Sequence, residues 1–369
     1  MQNHKLSGIR SNMHGPHLNF DRSWLNRSTE RPFLITGPCS AESEKQVLRV
    51  AEELQGFCDI FRAGIWKPRT RPNAFEGIGY QGLKWLSKVK KEFGYKVATE
   101  VANKDHVQAA LEHGIDVLWL GARTTVNPFL VQEIADSLKN YPETIVLVKN
   151  PVSPDLNLWV GAIERLQLAG LKKLGAIHRG FKTYDKSRFR NPPTWSIPIE
   201  LKCTFTDLPI FCDPSHITGD RSLVEEVCHQ ALLLQMDGLM IESHFDPENA
   251  LSDREQQVTP KQLTHTIENL KFRIQHPVTE SSQSKLENLR NQIDLLDQEL
   301  VQLVANRMDL VKEIKKLKEK EELPVLQPER WQKMMVNRND WGTKLDLSEE
   351  FIQSFFSTIH NESVKKQIY

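Results

Sequence analysis

Eight times between Arg31 and about Gln262, a short β-branched or apolar run is followed by a polar cluster and then by an amphipathic helical stretch. The runs begin with Phe33-Leu34-Ile35-Thr36, Ile60-Phe61-Arg62-Ala63, Lys96-Val97-Ala98-Thr99 and Val117-Leu118-Trp119-Leu120. They continue with Ile145-Val146-Leu147-Val148, Leu174-Gly175-Ala176-Ile177, Pro209-Ile210-Phe211-Cys212 and Leu239-Met240-Ile241. Helical stretches such as Ser43 to Gln55, His106 to His113 and Leu223 to Leu234 lie between them. Eight strand-then-helix units over about 240 residues fit the size of a (β/α)8 TIM barrel. A doubly wound open sheet is the competing arrangement. It gathers its chemistry after a few strands at one switch point, whereas here every run ends in a reactive or charged residue.

The chain has 369 residues, more than a barrel of ordinary size uses. Around Gln275 to Lys285 the composition shifts to a polar stretch, and beyond it the β-branched runs vanish. Leu286, Leu289, Ile293, Leu296, Leu300 and Leu303 then recur at steps of three and four, with Leu310, Ile314 and Leu317 continuing the stripe. The spacing predicts one helix of roughly nine turns, too long to stand without a partner over its apolar face. Pro324 and Pro328 break it, and helical stretches from Glu329 to Arg338 and from Ser348 to Lys366 follow. The expected organisation is a leader at 1–30, a barrel at 31–273, a linker at 274–284 and a small all-α domain at 285–369. The leader shows no period and reads as loose, open to partial ordering by docking.

Lys+Arg and Asp+Glu balance at 48 each, so no global field favours nucleic acid or an anionic membrane. Five scattered cysteines without a C-x-x-C pair fit reduced thiols in a cytoplasm. No apolar stretch reaches membrane-spanning length, and the N-terminus lacks the apolar core of a signal peptide. Gly77-Ile-Gly79-Tyr-Gln-Gly82 fits G-x-G-x-x-G, but no strand leads into it, so it is not read as a dinucleotide fingerprint.

Barrel enzymes work at the C-terminal ends of their strands. Those ends carry Cys39, Arg62 with Lys67, Glu100, Arg123, Lys149, Arg179, His216 and Glu242. Cys39, His216, Glu242 and Asp253 offer one sulfur, one nitrogen and two carboxylates, a set suited to a divalent Mn, Fe, Co or Zn ion. Arg62, Lys67, Arg69, Arg123, Lys149, Arg179 and Lys182 supply far more positive charge than one metal site tolerates. They call for phosphates and carboxylates.

Gly37-Pro38-Cys39-Ser40, Lys67-Pro68-Arg69-Thr70, Gly121-Ala122-Arg123-Thr124, His178-Arg179-Gly180, Asp213-Pro214-Ser215-His216 and Ile241-Glu242-Ser243-His244 together resemble the type I 3-deoxy-D-arabino-heptulosonate 7-phosphate (DAHP) synthases. The resemblance covers essentially the whole barrel and implies a metal-dependent condensation of phosphoenolpyruvate with erythrose 4-phosphate. It implies that Cys39, His216, Glu242 and Asp253 hold the metal, and that Arg62, Lys67, Arg123, Lys149 and Arg179 hold phosphoenolpyruvate. Lys67 also counts among the catalytic groups. Arg69 and Thr70 would hold the aldose phosphate, and Glu100 would orient the water that attacks C2. Arg71 stands where the family motif continues with Ser. The related synthase that uses arabinose 5-phosphate shares Lys149-Asn150-Pro151, but it typically carries Lys-Ala-Asn-Arg in place of Lys67-Pro68-Arg69-Thr70.

In the helical domain, Arg307 interrupts the apolar stripe and needs an anion. Lys318, 11 residues on, lies within about 20° of the same face and roughly 16 Å along the axis. Arg290 lies roughly 25 Å before Arg307 on another face and can serve only a partner chain's pocket. A coiled-coil dimerisation arm with an incidental polar layer fits this spacing equally well. Leu289-Arg290, Arg307, Lys316-Leu-Lys318, Pro324-Val325, Glu329-Arg330 and Glu362-Ser363-Val364-Lys365-Lys366-Gln367 resemble the all-helical chorismate mutases. The resemblance implies that Arg307, Arg330, Ser363 and a partner's Arg290 bind the dicarboxylate, while Lys318 and Gln367 act at the ether oxygen. Trp331 departs from the Glu often found there. The expectation is a bifunctional homodimer acting on phosphoenolpyruvate, erythrose 4-phosphate and chorismate, with prephenate as a feedback inhibitor through the helical domain. The alternative is a synthase carrying a catalytically silent mutase fold.

Overall fold

The computed structural model describes residues 18–25, 31–67, 75–183, 187–270 and 280–368. The chain divides into two compact units, Met1–Ile274 and Gln275–Tyr369. All eight apolar runs become strands: β1 Phe33–Gly37, β2 Ile60–Arg62, β3 Lys96–Val101, β4 Val117–Leu120, β5 Ile145–Lys149, β6 Leu174–His178, β7 Ile210–Cys212 and β8 Gly238–Glu242. They form a closed parallel barrel in sequence order. β1 seals it against β8, with Phe33 opposite Gly238 and Gly37 opposite Glu242.

The helices of this unit are α1 Glu44–Glu53, α2 Gln81–Phe93, α3 Lys104–Glu112, α4 Ala122–Thr125, α5 Pro128–Ser137 and α6 Leu156–Leu168. After them come α7 Ser196–Thr204, α8 Pro214–Thr218, α9 Val224–Leu233 and α10 Pro260–Asn269. Local chemistry starts many of them. Ser43, Asn103, Asn127 and Asp155 cap α1, α3, α5 and α6 through side-chain oxygens, each replacing an orphan backbone contact.

Strand residues alternate between two cores. One joins the outer strand faces to the helices, with Leu34, Val97, Leu118, Val146 and Leu239 fully buried. The other fills the barrel interior with Ile35, Ile60, Ala98, Val117, Trp119, Leu147, Ile177, Phe211 and Met240. A residue of the leader completes that inner core. Trp24, 5% exposed, packs edge-on against Phe33 with centroids 6.2 Å apart and lies 5.8 Å from Phe211. Arg22 pairs with the buried Asp237. The leader is therefore docked over 18–25, because a Trp and a Phe left in water would each forgo about 1.5–3 kcal/mol.

The second unit contains α11 Glu280–Lys320, α12 Pro328–Lys344 and α13 Glu349–Ile368. The long helix has 41 residues and starts inside the stretch read as linker. The Ser and Gln residues there are polar but helix-compatible, and neither Gly nor Pro occurs between Pro277 and Lys320. α12 likewise runs past Arg338 to Lys344. The face of α11 that packs within the unit is Met308 and Val311, with Val304, against Ile359, Phe355 and Phe356. The leucine stripe lies elsewhere on the helix. Leu289, Ile293, Leu296, Leu303 and Leu310 remain 55–67% exposed.

Candidate active sites

The ends of β1, β2 and β8 form the first corner of the barrel mouth. Gly37 has φ +148°, and a Cβ there would sit 2.1 Å from the Arg62 carbonyl oxygen. Only glycine lets β1 approach β2 this closely and carry Cys39 onto the mouth. Cys39 is fully buried, and its N–H donates to Gln257 Oε1 at 2.9 Å. Its Sγ lies 3.3 Å from Asp253 Oδ2 and accepts from Lys67 Nζ at 2.9 Å. Burial, with Glu242 and Asp253 nearby, pushes the thiol up to about 12. Burial opposes the Lys67 charge, yet Cys39 and Glu242 outweigh it and hold that ammonium above its usual range.

Arg62, 1% exposed, donates to Glu242 Oε1 at 2.9 Å and to the Cys39 carbonyl at 3.0 Å. Gln256 donates to the other Glu242 oxygen at 2.6 Å. Burial would raise the Glu242 carboxyl, but His216, Arg62 and Lys67 hold it below its ordinary value. Asp253 adopts φ +45°, a left-handed conformation few non-glycine residues take. Arg190 reaches both Asp253 (3.2 Å) and Gln256 (2.7 Å).

The second corner joins β5, β6 and β7. Lys149 donates to Asp213 Oδ2 at 2.9 Å, and His216 Nδ1 lies 2.8 Å from the same oxygen. His216 Nδ1 is also 3.9 Å from Glu242 Oε1, which links the two corners. Burial would raise Asp213, but His216 and Lys149 hold it well below the carboxylate range. Arg179 is pushed down to about 10 by burial and by the like charges of Arg123 and Arg190, with Asp213 and Asp253 opposing. Such a cation cluster stores repulsion that an anion relieves. Glu100 accepts from the Trp119 indole at 3.0 Å.

In the helical unit Arg307 donates to Ser363 Oγ at 2.5 Å, and Gln367 Nε2 donates to the Ser363 carbonyl at 3.2 Å. Lys318 donates to the Val325 carbonyl at 2.6 Å, fixing the turn after α11. Burial pushes Arg307 down, and burial with Arg307 and Arg330 nearby does the same to Arg338. His360 stacks on Trp331 with ring centroids 4.1 Å apart. Burial, Arg307 and Lys318 keep that imidazole below its usual value.

Each unit thus gathers charged and polar side chains into a network, and comparison with known proteins matches both units to families. Residues 22–275 match the DAHP synthetase I family, and residues 289–368 match chorismate mutase type II. The chain belongs to the DAHP synthetase I family. It is a bifunctional shikimate-pathway enzyme, with DAHP synthase and chorismate mutase domains in one chain. A phospho-2-dehydro-3-deoxyheptonate aldolase of Thermotoga maritima is 30% identical over 239 residues, covering 64% of this chain and 68% of that one. A solved DAHP synthase structure from Thermotoga maritima superposes with a TM-score of 0.60 at 28% identity, covering 67% of this chain and 71% of that one. A 2-dehydro-3-deoxyphosphooctonate aldolase of Geobacter sulfurreducens is 29% identical, covering 66% of this chain and 92% of that protein.

The synthase barrel brings Cys39, Arg62, Lys67, Lys149, Arg179, His216, Glu242 and Asp253 into one network. Arg123 sits on α4 as an exposed side chain close enough to Arg179 to lower it. Arg69 and Thr70 lie outside the described residues. Among the described residues, no three of the Cys, His, Asp and Glu side chains are gathered as a ready coordination shell. Cys39 is paired with Asp253, while His216 turns Nδ1 to Asp213. The mutase unit joins Arg307, Ser363 and Gln367. Arg330 lies at the exposed start of α12. Arg290 is exposed and lies 3.9 Å from Glu287 of its own helix.

Asp213, Gln256 and Arg190 belong to the synthase network, and Arg338 and His360 to the mutase one. None was legible as a site residue. Asp213 reads locally as the N-cap of α8, which it is, and its Lys149 partner stands 64 positions away.

His178 adds a pH dependence. It is fully buried among Trp159, Phe181 and Trp195. Neither ring nitrogen makes an ordinary hydrogen bond, and burial, then Arg179, pull it down to about 3. A base depressed in the folded state leaves the unfolded chain binding the extra proton, so stability falls as pH drops below about 6.5 and levels off near 3. Between pH 8 and pH 5 the barrel should lose about 2 kcal/mol more than a His178→Phe variant does. Denaturant unfolding at the two pH values measures this, and parallel acid sensitivity in both proteins would refute it.

Proposed function

We propose that the barrel mouth holds a divalent metal and phosphoenolpyruvate side by side, and that the α11–α13 pocket converts chorismate to prephenate. The observation that supports the first half most is the set of buried cations held on acceptors: Arg62 ion-paired with Glu242, Lys149 ion-paired with Asp213, and Lys67 hydrogen-bonded to the Cys39 sulfur. Arg179 lies close to the like charges of Arg123 and Arg190, a crowding of cations that an anion would relieve. The donor chemistry of Cys39, His216, Glu242 and Asp253 fits a borderline divalent ion such as Mn, Fe, Co or Zn. Glu242 and Asp253 both oppose ionisation of the Cys39 thiol, the repulsion a bound cation would relieve. When bound, the metal would supply Lewis-acid polarisation of the aldehyde.

The chain's own residues do the rest. Arg62, Lys67, Arg123, Lys149 and Arg179 bind the carboxylate and phosphate of phosphoenolpyruvate, which condenses with erythrose 4-phosphate. Glu100 orients water toward C2, with Arg69 and Thr70 holding the aldose phosphate. Exhaustive chelation should abolish synthase turnover, and a divalent transition metal should restore it. Cys39→Ala should weaken metal binding by at least about tenfold in equilibrium dialysis while the barrel stays folded. Full activity in the chelated enzyme would defeat the assignment.

In the mutase pocket Arg307, Arg330, Ser363 and a partner chain's Arg290 would hold the dicarboxylate of chorismate. Lys318 and Gln367 would stabilise the negative charge that develops on the ether oxygen. The exposed leucine stripe of α11 supports a homodimer, since a long helix with an uncovered apolar face needs a second helix over it. The free cysteines suit a reducing cytoplasm. Prephenate, the product of this pocket, would act as a feedback inhibitor of the synthase. Linkage makes the effect reciprocal, with coupling of about 1–3 kcal/mol giving roughly 5- to 150-fold shifts in affinity. A synthase titration with prephenate should show inhibition in the native chain and none in Arg307→Ala. Equal sensitivity in both would exclude this route.

A further inference from the structure

Trp119 and Trp159 are the largest of the fully buried side chains described, and Trp119 lies among three charged residues of the synthase site, Glu100, Arg62 and Lys149. Strand register puts it there. Trp119 on β4 is paired with Glu100 on β3 and with Leu147 on β5, two residues before Lys149. The same face of three neighbouring strands therefore presents the carboxylate and the indole side by side, with the Lys149 ammonium two residues further along β5. The indole N–H donates to Glu100 Oε2 at 3.0 Å. The Arg62 guanidinium carbon lies 4.8 Å from the ring centroid, and Lys149 Nζ lies 6.0 Å from it. Both fall within the range where a cation is attracted to an aromatic face. Gly121 completes the arrangement: a Cβ there would sit 2.2 Å from Glu100 Oε1, so glycine leaves room for the carboxylate to turn toward the indole.

A buried Trp needs a partner for its one polar atom, and any carbonyl would serve. Here the partner is the carboxylate assigned to water orientation, while the ring underlies two cations assigned to phosphoenolpyruvate. We propose that Trp119 is a positioning residue for the synthase reaction. Its N–H fixes the direction of Glu100, and its ring fixes Arg62 and Lys149, so one side chain sets the relative placement of the water-directing and substrate-holding groups. The inference rests on the roles proposed above for Glu100, Arg62 and Lys149. Trp119 itself touches no substrate.

The two functions can be separated by substitution. Trp119→Phe keeps a ring beneath the cations and removes the N–H. Trp119→Gln keeps an N–H donor and removes the ring. In the full chain, Trp119→Phe should lower synthase kcat about tenfold, the scale of a hydrogen bond to a charged group. Its KM for phosphoenolpyruvate should stay within about twofold. Trp119→Gln should raise that KM about fivefold or more and keep the higher kcat of the two. Calorimetric titration with phosphoenolpyruvate should show the same order of affinities without turnover.

A double-mutant cycle with Glu100→Gln ties the N–H to its target. In that background, Trp119→Phe should change kcat by less than about twofold. A tenfold loss that persists there overturns the proposal, as does a proportionate fall of kcat and affinity in both variants, the pattern of a plain core residue. If Glu100→Gln alone leaves kcat unchanged, the assigned role of Glu100 fails, and the Trp119→Gln affinity change still decides the role of the ring. Thermal unfolding of each variant and its chorismate mutase rate show that the chain is folded. Should one variant unfold, the kcat-against-KM split of the other decides.

Discussion

Arg62→Met is expected to lower synthase turnover by at least about a thousandfold and to destabilise the barrel by about 3–5 kcal/mol. Arg62 and Glu242 are 1% and 0% exposed and 2.9 Å apart. Removing the guanidinium takes from a fully buried carboxylate its ion-pair partner and leaves Gln256 as its hydrogen-bond donor. It also frees the Cys39 carbonyl, which accepts from the same side chain at 3.0 Å. For a domain of this size, the cost should lower the unfolding midpoint by about 10 °C. Neutralising both partners separates structure from chemistry. Arg62→Met/Glu242→Gln should recover much of the stability, because no uncompensated charge remains buried, and none of the activity. Calorimetry on chelated protein with a two-substrate synthase assay measures both. A single variant that unfolds like the native chain would show that the pair carries no such energy.

Arg307→Ala should reduce chorismate rearrangement by about a hundred- to a thousandfold while synthase turnover stays within about twofold. Its energetics oppose those of Arg62. Arg307 donates to a hydroxyl, and it lies close enough to Arg338 to depress that residue. Its loss removes a source of repulsion and strands no ion. The fold should therefore tolerate the substitution, and the loss should appear in catalysis. Loss of helical unfolding cooperativity alongside activity would instead mark Arg307 as structural.

The eight strands were legible because each is a contiguous β-branched or apolar run, buried on both faces once the barrel closes. The residues at their ends were legible because barrel chemistry collects there. What escaped depends on packing. Trp24 lies in an aperiodic leader, and nothing local says that it will complete the interior layer beside Phe33 and Phe211. Trp119 reads as one more apolar strand residue until the register places Glu100 beside it. In the helical unit the leucine stripe is conspicuous, yet the contact within the chain is made by Val304, Met308 and Val311 on another face. Sequence periodicity reports that a face is apolar and leaves open what will cover it. Arg338 and His360 sit on separate helices, and their approach to Arg307 follows from how α12 and α13 fold back.

The central claim is that two separate active sites operate in this one chain. The most direct measurement assays DAHP formation and chorismate loss side by side on the native protein, Arg62→Met and Arg307→Ala. The native chain should perform both reactions, Arg62→Met should lose only the first, and Arg307→Ala only the second. Chorismate loss in the native chain no faster than the uncatalysed rate, or both activities falling together in a folded variant, would contradict it.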